Sequence, residues 1–87
     1  MNQIIIDVRE PFEFSKGHVA GALNIPPQVI MSGVPKQLKD IPRDTELVLY
    51  CVSGSRSRMS MSFLHSYGFT NLVNGINMQQ VRAKYGL

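Results

Sequence analysis

Two apolar runs of strand length constrain the fold more than any other feature of the sequence. The first is QIIID at residues 3–7, and the second is ELVLY at residues 46–50. A strand with one face in water alternates apolar and polar residues, whereas a strand covered on both faces of a parallel sheet is apolar almost throughout. The two runs therefore predict strands of a buried parallel sheet. Asp7 ends the first run, and Cys51 follows the second.

The rest of the chain alternates between helix and strand signals. Pro11 fits the first turn of a short helix that Gly17 ends, and residues 21–25 form a short strand closed by Pro26-Pro27. The remaining predicted elements are helical turns before Gly33 and over residues 35–39, an amphipathic helix over residues 57–67, a strand over residues 71–74 and a helix over residues 78–85. This order predicts an α/β fold, a small three-layer sandwich in which helices flank a mostly parallel central sheet.

The composition is that of a globular protein with a single domain. The chain has 87 residues, of which 44% are hydrophobic and 17% charged, so we expect one domain over residues 1–87. The net charge of +3 is scattered along the chain, which favours small anions over nucleic acid as partners. The run Ile4-Ile5-Ile6 is too short for a signal peptide or a membrane span. As written, the chain is expected to be cytoplasmic with no membrane partner; a periplasmic location stays open if a signal peptide has been removed.

Cys51 is the only cysteine, so any thiol chemistry depends on it. One cysteine forms no internal disulfide, and together with two distant histidines it lacks the spacing of a zinc site, so we expect neither a metal nor a cofactor. Ligands of an open parallel sheet bind beyond the carboxyl ends of its strands, and Cys51 lies at such an end. A free thiol has a pKa of about 8.5 and reacts as the thiolate, so a reactive cysteine needs surroundings that lower this pKa.

The residues after Cys51 can provide such surroundings. The start of the next helix carries partial positive charge, Gly54 and the neighbouring serines let backbone N–H groups turn inward, and Arg56 and Arg58 add full charges. Such a loop would bind an anion as well as stabilise a thiolate. The alternative is that Cys51 is a small buried residue at a strand end, as most lone cysteines are. Two arginines at a helix N-terminus oppose the helix dipole, so their presence favours the functional interpretation.

Three segments of the sequence resemble the rhodanese family of sulfurtransferases. IIIDVREPFEFSKGHVAGALNIP is similar to the family's N-terminal signature, LVLYCVSGSRS to its strand and catalytic loop, and SYGFTNLVNGI to its helix end, last strand and closing glycine turn. With its short start, the chain resembles the short phage-shock-type rhodaneses. The family's closing Gly-Gly-Ile appears here as Asn74-Gly75-Ile76, without the tryptophan that follows it in the family.

The resemblance implies a sulfurtransferase with covalent catalysis in two half-reactions. Thiosulfate, or a related small anionic sulfur donor, would give its outer sulfur to Cys51, which holds it as a persulfide and passes it to cyanide or another thiophilic acceptor, including a protein. The six residues from Cys51 to Arg56 match the loop length of the sulfurtransferases. Related phosphatases have five residues between cysteine and arginine, and this chain has Ser57 where that arginine would be.

The resemblance also implies a role for each residue of the loop. Cys51 is the nucleophile and persulfide carrier, Arg56 contacts the sulfonate-like anion, and Arg58 is a secondary candidate that more resembles a solvated helix charge. The residues whose backbone N–H groups would cradle the outer sulfur are Val52, Ser53, Gly54, Ser55, Arg56 and Ser57.

Three polar residues outside the loop are interpreted as structural. Asp7 and Arg9 match family positions that tie the strand end to neighbouring loops. His18 has the chemistry of a general base, but attack of a thiolate on thiosulfate removes no proton. His18 is therefore interpreted as a hydrogen-bonded scaffold residue.

Two other functions stay open from the sequence. A cysteine-dependent phosphatase or arsenate-reductase-like enzyme would also use a thiolate in an anion-binding loop, although it needs the longer loop. A non-catalytic rhodanese-like binding module would use the fold as a docking surface, although such modules usually lack the cysteine. Hydrolysis of an aryl phosphate would favour the first, and an unreactive Cys51 the second.

Overall fold

The computed structural model describes residues 3–87, which form alternating strands and helices. Within this range the strands are β1 (Gln3–Asp7), β2 (Leu23–Asn24), β3 (Glu46–Cys51) and β4 (Leu72–Asn77). The helices of the same range are α1 (Pro11–Ser15), α2 (Pro27–Met31), α3 (Ser55–Ser66) and α4 (Met78–Tyr85), and a 3-10 turn covers Lys36–Leu38. No helix among these residues is long and apolar enough to cross a membrane. Each element that the sequence predicts is present, with different ends in several cases.

The strands form one parallel sheet in the order β2-β1-β3-β4. The central pair is β1 and β3, in which Asp7 lies opposite Tyr50, while β2 pairs with β1 and β4 pairs with β3. Parallel strands run in the same direction, so their carboxyl ends share one edge of the sheet. This edge brings together Asp7, Cys51 and Asn77, the last residues of β1, β3 and β4.

Apolar side chains cover both faces of the sheet, because successive residues of a buried strand point to opposite faces. One cluster packs the sheet against α2 and α3 through Ile6, Leu49, Ile30 and Leu64. The other packs the opposite face against α4 through Ile5, Val48 and Val81. Helices on both sides of a parallel sheet confirm the predicted three-layer α/β sandwich.

Helix α3 begins at Ser55, two residues earlier than the sequence predicts. Gly54 precedes the helix with a φ of 90°, in the left-handed region that glycine adopts without steric cost. The chain therefore turns from β3 into the helix within three residues, and Ser55, Arg56 and Ser57 form the first helical turn instead of part of a loop. The predicted start is later because the prediction follows the spacing of the apolar residues, and the first helical turn contains none.

Strand β4 is longer than predicted and contains a bulge. Its pairing with β3 shifts between Leu49 opposite Asn74 and Tyr50 opposite Ile76, so Gly75 is the extra residue. Ile76 has a φ of 73°, which is rare for a β-branched residue. The predicted strand over residues 71–74 ends before Gly75, whereas the bulge absorbs this glycine and lets the strand continue to Asn77.

Gly75→Ala is expected to destabilise the fold by roughly 1–3 kcal/mol, because an added methyl group in a filled interior forces its neighbours to move. A Cβ at this position would lie 2.5 Å from Val81 Cγ2 and 3.1 Å from the carbonyl oxygen of Leu49. Val81 is buried against the sheet and has little room to give way. Urea unfolding measures the change.

Val81→Ala provides the matched control for this contact. Alone it leaves a cavity and destabilises the fold, but combined with Gly75→Ala it removes the clashing methyl group. We expect the double variant to lose clearly less stability than the sum of the two single variants. Additive losses would contradict the contact between the two positions.

Candidate active site

Cys51 lies at the end of β3, next to an open pocket at the carboxyl edge of the sheet. The residue is only 3% exposed, so a small part of its thiol reaches solvent. The pocket, here called the thiol pocket, has a volume of about 290 Å³ and is lined by Arg9, Cys51, Val52, Asn77, Met78 and Gln79. These residues come from the segments that follow β1 and β3 and from the junction of β4 with α4. The structure therefore places the thiol where a parallel sheet binds its ligands.

Two hydrogen bonds from the residues after Cys51 reach its sulfur. The N–H of Gly54 donates to Sγ at 3.1 Å, and the hydroxyl of Ser57 donates to Sγ at 3.3 Å. Ser57 is fully buried, so its hydroxyl is directed at the sulfur and not at solvent. The early start of α3 brings both donors to the end of β3.

These donors lower the pKa of the Cys51 thiol to about 7, although burial acts in the opposite direction. Burial is the largest single influence and raises the pKa, because it disfavours the charged thiolate. The hydroxyl of Ser57 lowers the pKa most, followed by the backbone N–H groups of Ser57, Gly54 and Ser53. Together the donors outweigh burial, so the thiolate is far more populated near neutral pH than in an ordinary cysteine.

The predicted cradle residues differ in which of their groups lie close to the sulfur. Ser53, Gly54 and Ser57 act on the sulfur through their N–H groups. Val52 is 59% exposed at the rim of the thiol pocket. The hydroxyls of Ser53 and Ser55 face solvent and lie 3.2 Å from one another, so these side chains do not point at the sulfur.

Arg56 lies in the first turn of α3 and forms an ion pair with Glu13 of α1. Its Nη1 donates to Glu13 Oε1 at 2.7 Å and its Nη2 donates to Glu13 Oε2 at 3.2 Å. The bond from Arg56 is the main reason that the pKa of Glu13 is lowered to about 2. Glu13 also accepts a hydrogen bond from the N–H of Glu10 in the capping box of α1, so one carboxylate joins the two helices. Arg56 is not among the described residues that line the thiol pocket.

The sequence analysis did not identify Glu13 as part of the site. The available signal was the spacing of Glu10 and Glu13, which is that of a capping box and fixes the second carboxylate at the start of α1. No sequence pattern predicts that Arg56, 43 residues further along the chain, is the partner of Glu13.

Arg58 lies on a different surface. It is exposed and lines a separate groove along α3 together with Met61, Ser62 and His65. Arg58 is not one of the residues found around the thiol pocket in the described chain. This position agrees with a solvated helix charge.

Asp7 and Arg9 form a buried cluster with Tyr50 beside the thiol pocket. Arg9 donates to Asp7 Oδ1 from Nε at 2.9 Å and to Asp7 Oδ2 from Nη2 at 2.7 Å. Tyr50 donates its hydroxyl proton to Asp7 Oδ2 at 2.8 Å and accepts the N–H of Val19 at 3.0 Å. Arg9 Nη2 also donates to the carbonyl oxygen of Gly17, so the cluster ties the strand ends to the next loop, as expected. Arg9 also lines the wall of the thiol pocket, which the sequence does not predict.

His18 is held by α1 and does not line the thiol pocket. Its ring stacks on Phe14 with 3.6 Å between the ring centres, and its Nδ1 lies 2.9 Å from the carbonyl oxygen of Phe14. These contacts agree with a scaffold role. Over residues 3–87, no three His, Cys, Asp or Glu side chains form a group that could hold a metal ion.

The chain belongs to the rhodanese-like domain family, since residues 1–77 match the model of the rhodanese-like domain. A sulfurtransferase from Allochromatium vinosum is 32% identical over 71 residues, which are 82% of this chain and 63% of that protein. The probable adenylyltransferase/sulfurtransferase MoeZ from Mycobacterium tuberculosis is 39% identical over 70 residues, which are 80% of this chain and 17% of that protein. The chain thus spans less than two thirds of the length of either relative.

Solved structures of a rhodanese and of a sulfurtransferase are also similar to this chain. A rhodanese with anions from E. coli superposes with a TM-score of 0.76 at 25% identity and covers 90% of this chain and 89% of its own. A single-domain sulfurtransferase from Saccharomyces cerevisiae superposes with a TM-score of 0.73 at 27% identity and covers 98% of this chain and 77% of its own. The rhodanese fold therefore extends over nearly the whole chain.

Ser57→Ala is expected to raise the pKa of Cys51 above about 7, because it removes the hydroxyl that lowers this pKa most. A hydrogen bond to a charged group contributes about 1.5 kcal/mol, which corresponds to roughly a fivefold loss of thiolate at neutral pH. The rate of alkylation of Cys51 by iodoacetamide, measured as a function of pH, reports the midpoint.

Ser60→Ala is the matched control, since Ser60 is buried one turn further along α3 and its hydroxyl has no partner among the described residues. This change should leave the alkylation midpoint where it is. Equal midpoints for Ser57→Ala and the unmodified protein would mean that the hydroxyl does not act on the sulfur.

Proposed function

We propose that this chain is a sulfurtransferase that carries sulfane sulfur on Cys51. The donor is thiosulfate or a related small anion, and the acceptor is cyanide or a thiol, including the thiol of a protein. The observation that carries the proposal is a single thiol with a pKa of about 7 beside an open pocket at the carboxyl edge of the sheet. Membership of the rhodanese-like family and the similarity to sulfurtransferases support it.

In the first half-reaction, the Cys51 thiolate attacks the outer sulfur of thiosulfate. A new sulfur–sulfur bond forms to Cys51, the sulfur–sulfur bond of thiosulfate breaks, and sulfite leaves with the electron pair. In the second half-reaction, cyanide attacks the outer sulfur of the persulfide, thiocyanate leaves, and the thiolate of Cys51 is restored. No proton is transferred in either step, so the protein has to supply a thiolate and a place for anions and needs no general base.

The donors around Cys51 suit both states of the sulfur. In the resting state the Gly54 N–H and the Ser57 hydroxyl stabilise the thiolate. After transfer, the negative charge lies on the outer sulfur of the persulfide. We assign the N–H groups of residues 52–57 to this outer sulfur, because the turn and the first helical turn converge at the end of β3.

Two arginines are available for the sulfonate end of the donor. Arg9 lines the thiol pocket, and the hydrogen bonds of its side chain within the described chain use Nε and Nη2 and leave Nη1 free. Arg56 donates one bond from each Nη to Glu13, and a guanidinium has about five N–H donors, so others remain for an anion. We assign Arg56 to the anion, with Glu13 fixing its orientation and Arg9 on the wall of the pocket. Arg58 receives no role in binding.

The other two functions have less support. In a phosphatase loop an arginine would occupy position 57, but Ser57 there donates its hydroxyl to the nucleophile. A binding module has no use for a thiolate, yet this chain keeps the donors that lower the pKa of Cys51 against the effect of burial. The A. vinosum and yeast proteins to which the chain is similar are named as sulfurtransferases.

Incubation with thiosulfate is expected to add the mass of one sulfur atom to the protein, and cyanide is expected to remove it. Intact-mass spectrometry measures both steps, and Cys51→Ser alongside should gain nothing, because the acceptor atom is missing. Ser62→Ala serves as a second control, since its exposed hydroxyl donates to the carbonyl oxygen of Arg58 and Ser62 lies outside the loop assigned to the sulfur. An equal mass gain on Cys51→Ser would end the proposal. No gain on the folded, reduced protein would mean that the donor is not thiosulfate or that the chain is a binding module.

The double variant Glu13→Gln/Arg56→Gln is expected to raise KM for thiosulfate roughly threefold or more, with a smaller effect on kcat. The ion pair becomes a neutral pair, so the net charge of the pair stays zero and a change in KM reports a lost contact of the guanidinium with the donor. Steady-state kinetics with thiosulfate and cyanide measure it.

Arg58→Gln is the control for this variant, because it removes a positive charge from α3 away from the thiol pocket. A KM that rises in the double variant and stays unchanged in Arg58→Gln would assign the effect to the contact made by Arg56, whereas an equal rise in both would mean that the effect is not specific to that contact. A KM that does not move in the double variant would leave Arg56 with the role of joining α1 to α3.

A further inference from the structure

Asn74 connects the bulge of β4 to the turn that holds Cys51. Its Nδ2 donates to the carbonyl oxygen of Gly54 at 3.1 Å, and its Oδ1 accepts the N–H of Ile76 at 3.0 Å. The first bond joins residues 20 positions apart in the sequence, and the second closes the bulge locally. One side chain therefore fixes two backbone segments relative to each other.

The chemistry of both bonds requires an amide at this position. A backbone carbonyl needs a donor and a backbone N–H needs an acceptor, and the asparagine side chain supplies one of each from a short stem. The two backbone partners also fix which end of the amide is oxygen and which is nitrogen.

The bulge presses against the same glycine that donates to the sulfur. A Cβ placed on Gly54 would lie 3.4 Å from Asn74 Nδ2 and 3.5 Å from Ile76 Cγ2, so both residues are in contact with the turn. Ile76 holds a φ of 73°, a conformation that is unfavourable for a β-branched residue and persists only where its surroundings enforce it. The hydrogen bond to Asn74 Oδ1 is one such constraint.

We propose that Asn74 is a positioning residue that holds Gly54, and through the Gly54 N–H the sulfur of Cys51, in the geometry needed for reaction. Asn74 does not touch the sulfur. It anchors the Gly54 carbonyl, which lies next to the N–H that donates to Sγ at 3.1 Å. Asn74 itself is held in place because it lies in the bulge of β4 and accepts the N–H of Ile76. The inference rests on the proposed function only in that Cys51 is the reacting group.

The test compares Asn74→Ala with Asn71→Ala. Asn71 lies just before β4, and its Nδ2 also donates to a backbone carbonyl, that of Asp44, but far from the sulfur. The first readout is the pH profile of Cys51 alkylation by iodoacetamide. The second is the exchange rate of the Gly54 amide hydrogen. Arg9 and Arg56, the charged side chains near the sulfur, are the same in both variants.

Asn74→Ala is expected to slow alkylation at neutral pH roughly threefold, to move the midpoint to higher pH and to speed exchange of the Gly54 amide at least tenfold. Asn71→Ala should change neither readout, whatever it does to stability. A folded Asn74→Ala protein with an unchanged midpoint and unchanged Gly54 exchange would overturn the proposal and leave Asn74 a residue of the fold alone.

Asn74→Gly covers the case in which the alanine variant does not fold. Glycine accepts any backbone conformation of the bulge and removes the same two hydrogen bonds, so the same shifts are expected. Failure of both variants to fold would also contradict a specific positioning role. Because alkylation reads the sulfur directly, a chain that transfers no sulfur from thiosulfate still gives a clear answer about Asn74.

Discussion

The balance between burial of the Cys51 sulfur and the hydrogen bonds that reach it is the interaction on which the site depends. Burial alone would keep the thiol protonated, because removing a thiolate from water is unfavourable. Donors directed at the sulfur reverse this effect and lower its pKa to about 7. The donors have fixed positions only because Gly54 is left-handed and α3 begins at once after the turn. The local backbone is thus part of the chemistry of the thiol.

The sheet explains why these parts meet at one place. Parallel pairing of β1, β3 and β4 brings three strand ends to a common edge, and each end contributes a different component. The end of β3 carries the sulfur, the segment after β1 carries Arg9, and the junction of β4 with α4 closes the thiol pocket. Tyr50, one residue before the sulfur, joins the first two components through its bond to Asp7. The hydrogen-bonded cluster of Asp7, Arg9 and Tyr50 therefore fixes the pocket wall relative to the sulfur of Cys51.

Much of the fold could be predicted from the sequence, because the information is local. The apolar runs of β1 and β3 identify buried strands, and Pro11 and Gly17 mark the ends of a short helix. The missing part depends on contacts between distant residues. Neither the bond of Glu13 to Arg56 nor that of Asn74 to Gly54 has a pattern in the sequence, since 43 and 20 positions separate the partners. The bulge of β4 was missed for a related reason: a glycine within a strand looks like its end until the partner strand is known.

The ion pair of Glu13 and Arg56 changes the electrostatic argument made from the sequence. Arginines at the start of a helix oppose its dipole, and the sequence suggested that a bound anion offsets this effect. The structure contains an anion of its own, because the Glu13 carboxylate meets Arg56 in that turn. Its pKa of about 2 keeps it charged at any pH near neutrality, so the pair contributes stability above the ordinary carboxyl pKa and loses it only as the pH falls toward 2. In the proposed reaction, an anionic donor would meet an arginine already oriented by a carboxylate. For the proposed sulfur transfer, the ionisation of Cys51 would then set how the rate depends on pH near neutrality, because the pKa of this thiol is about 7.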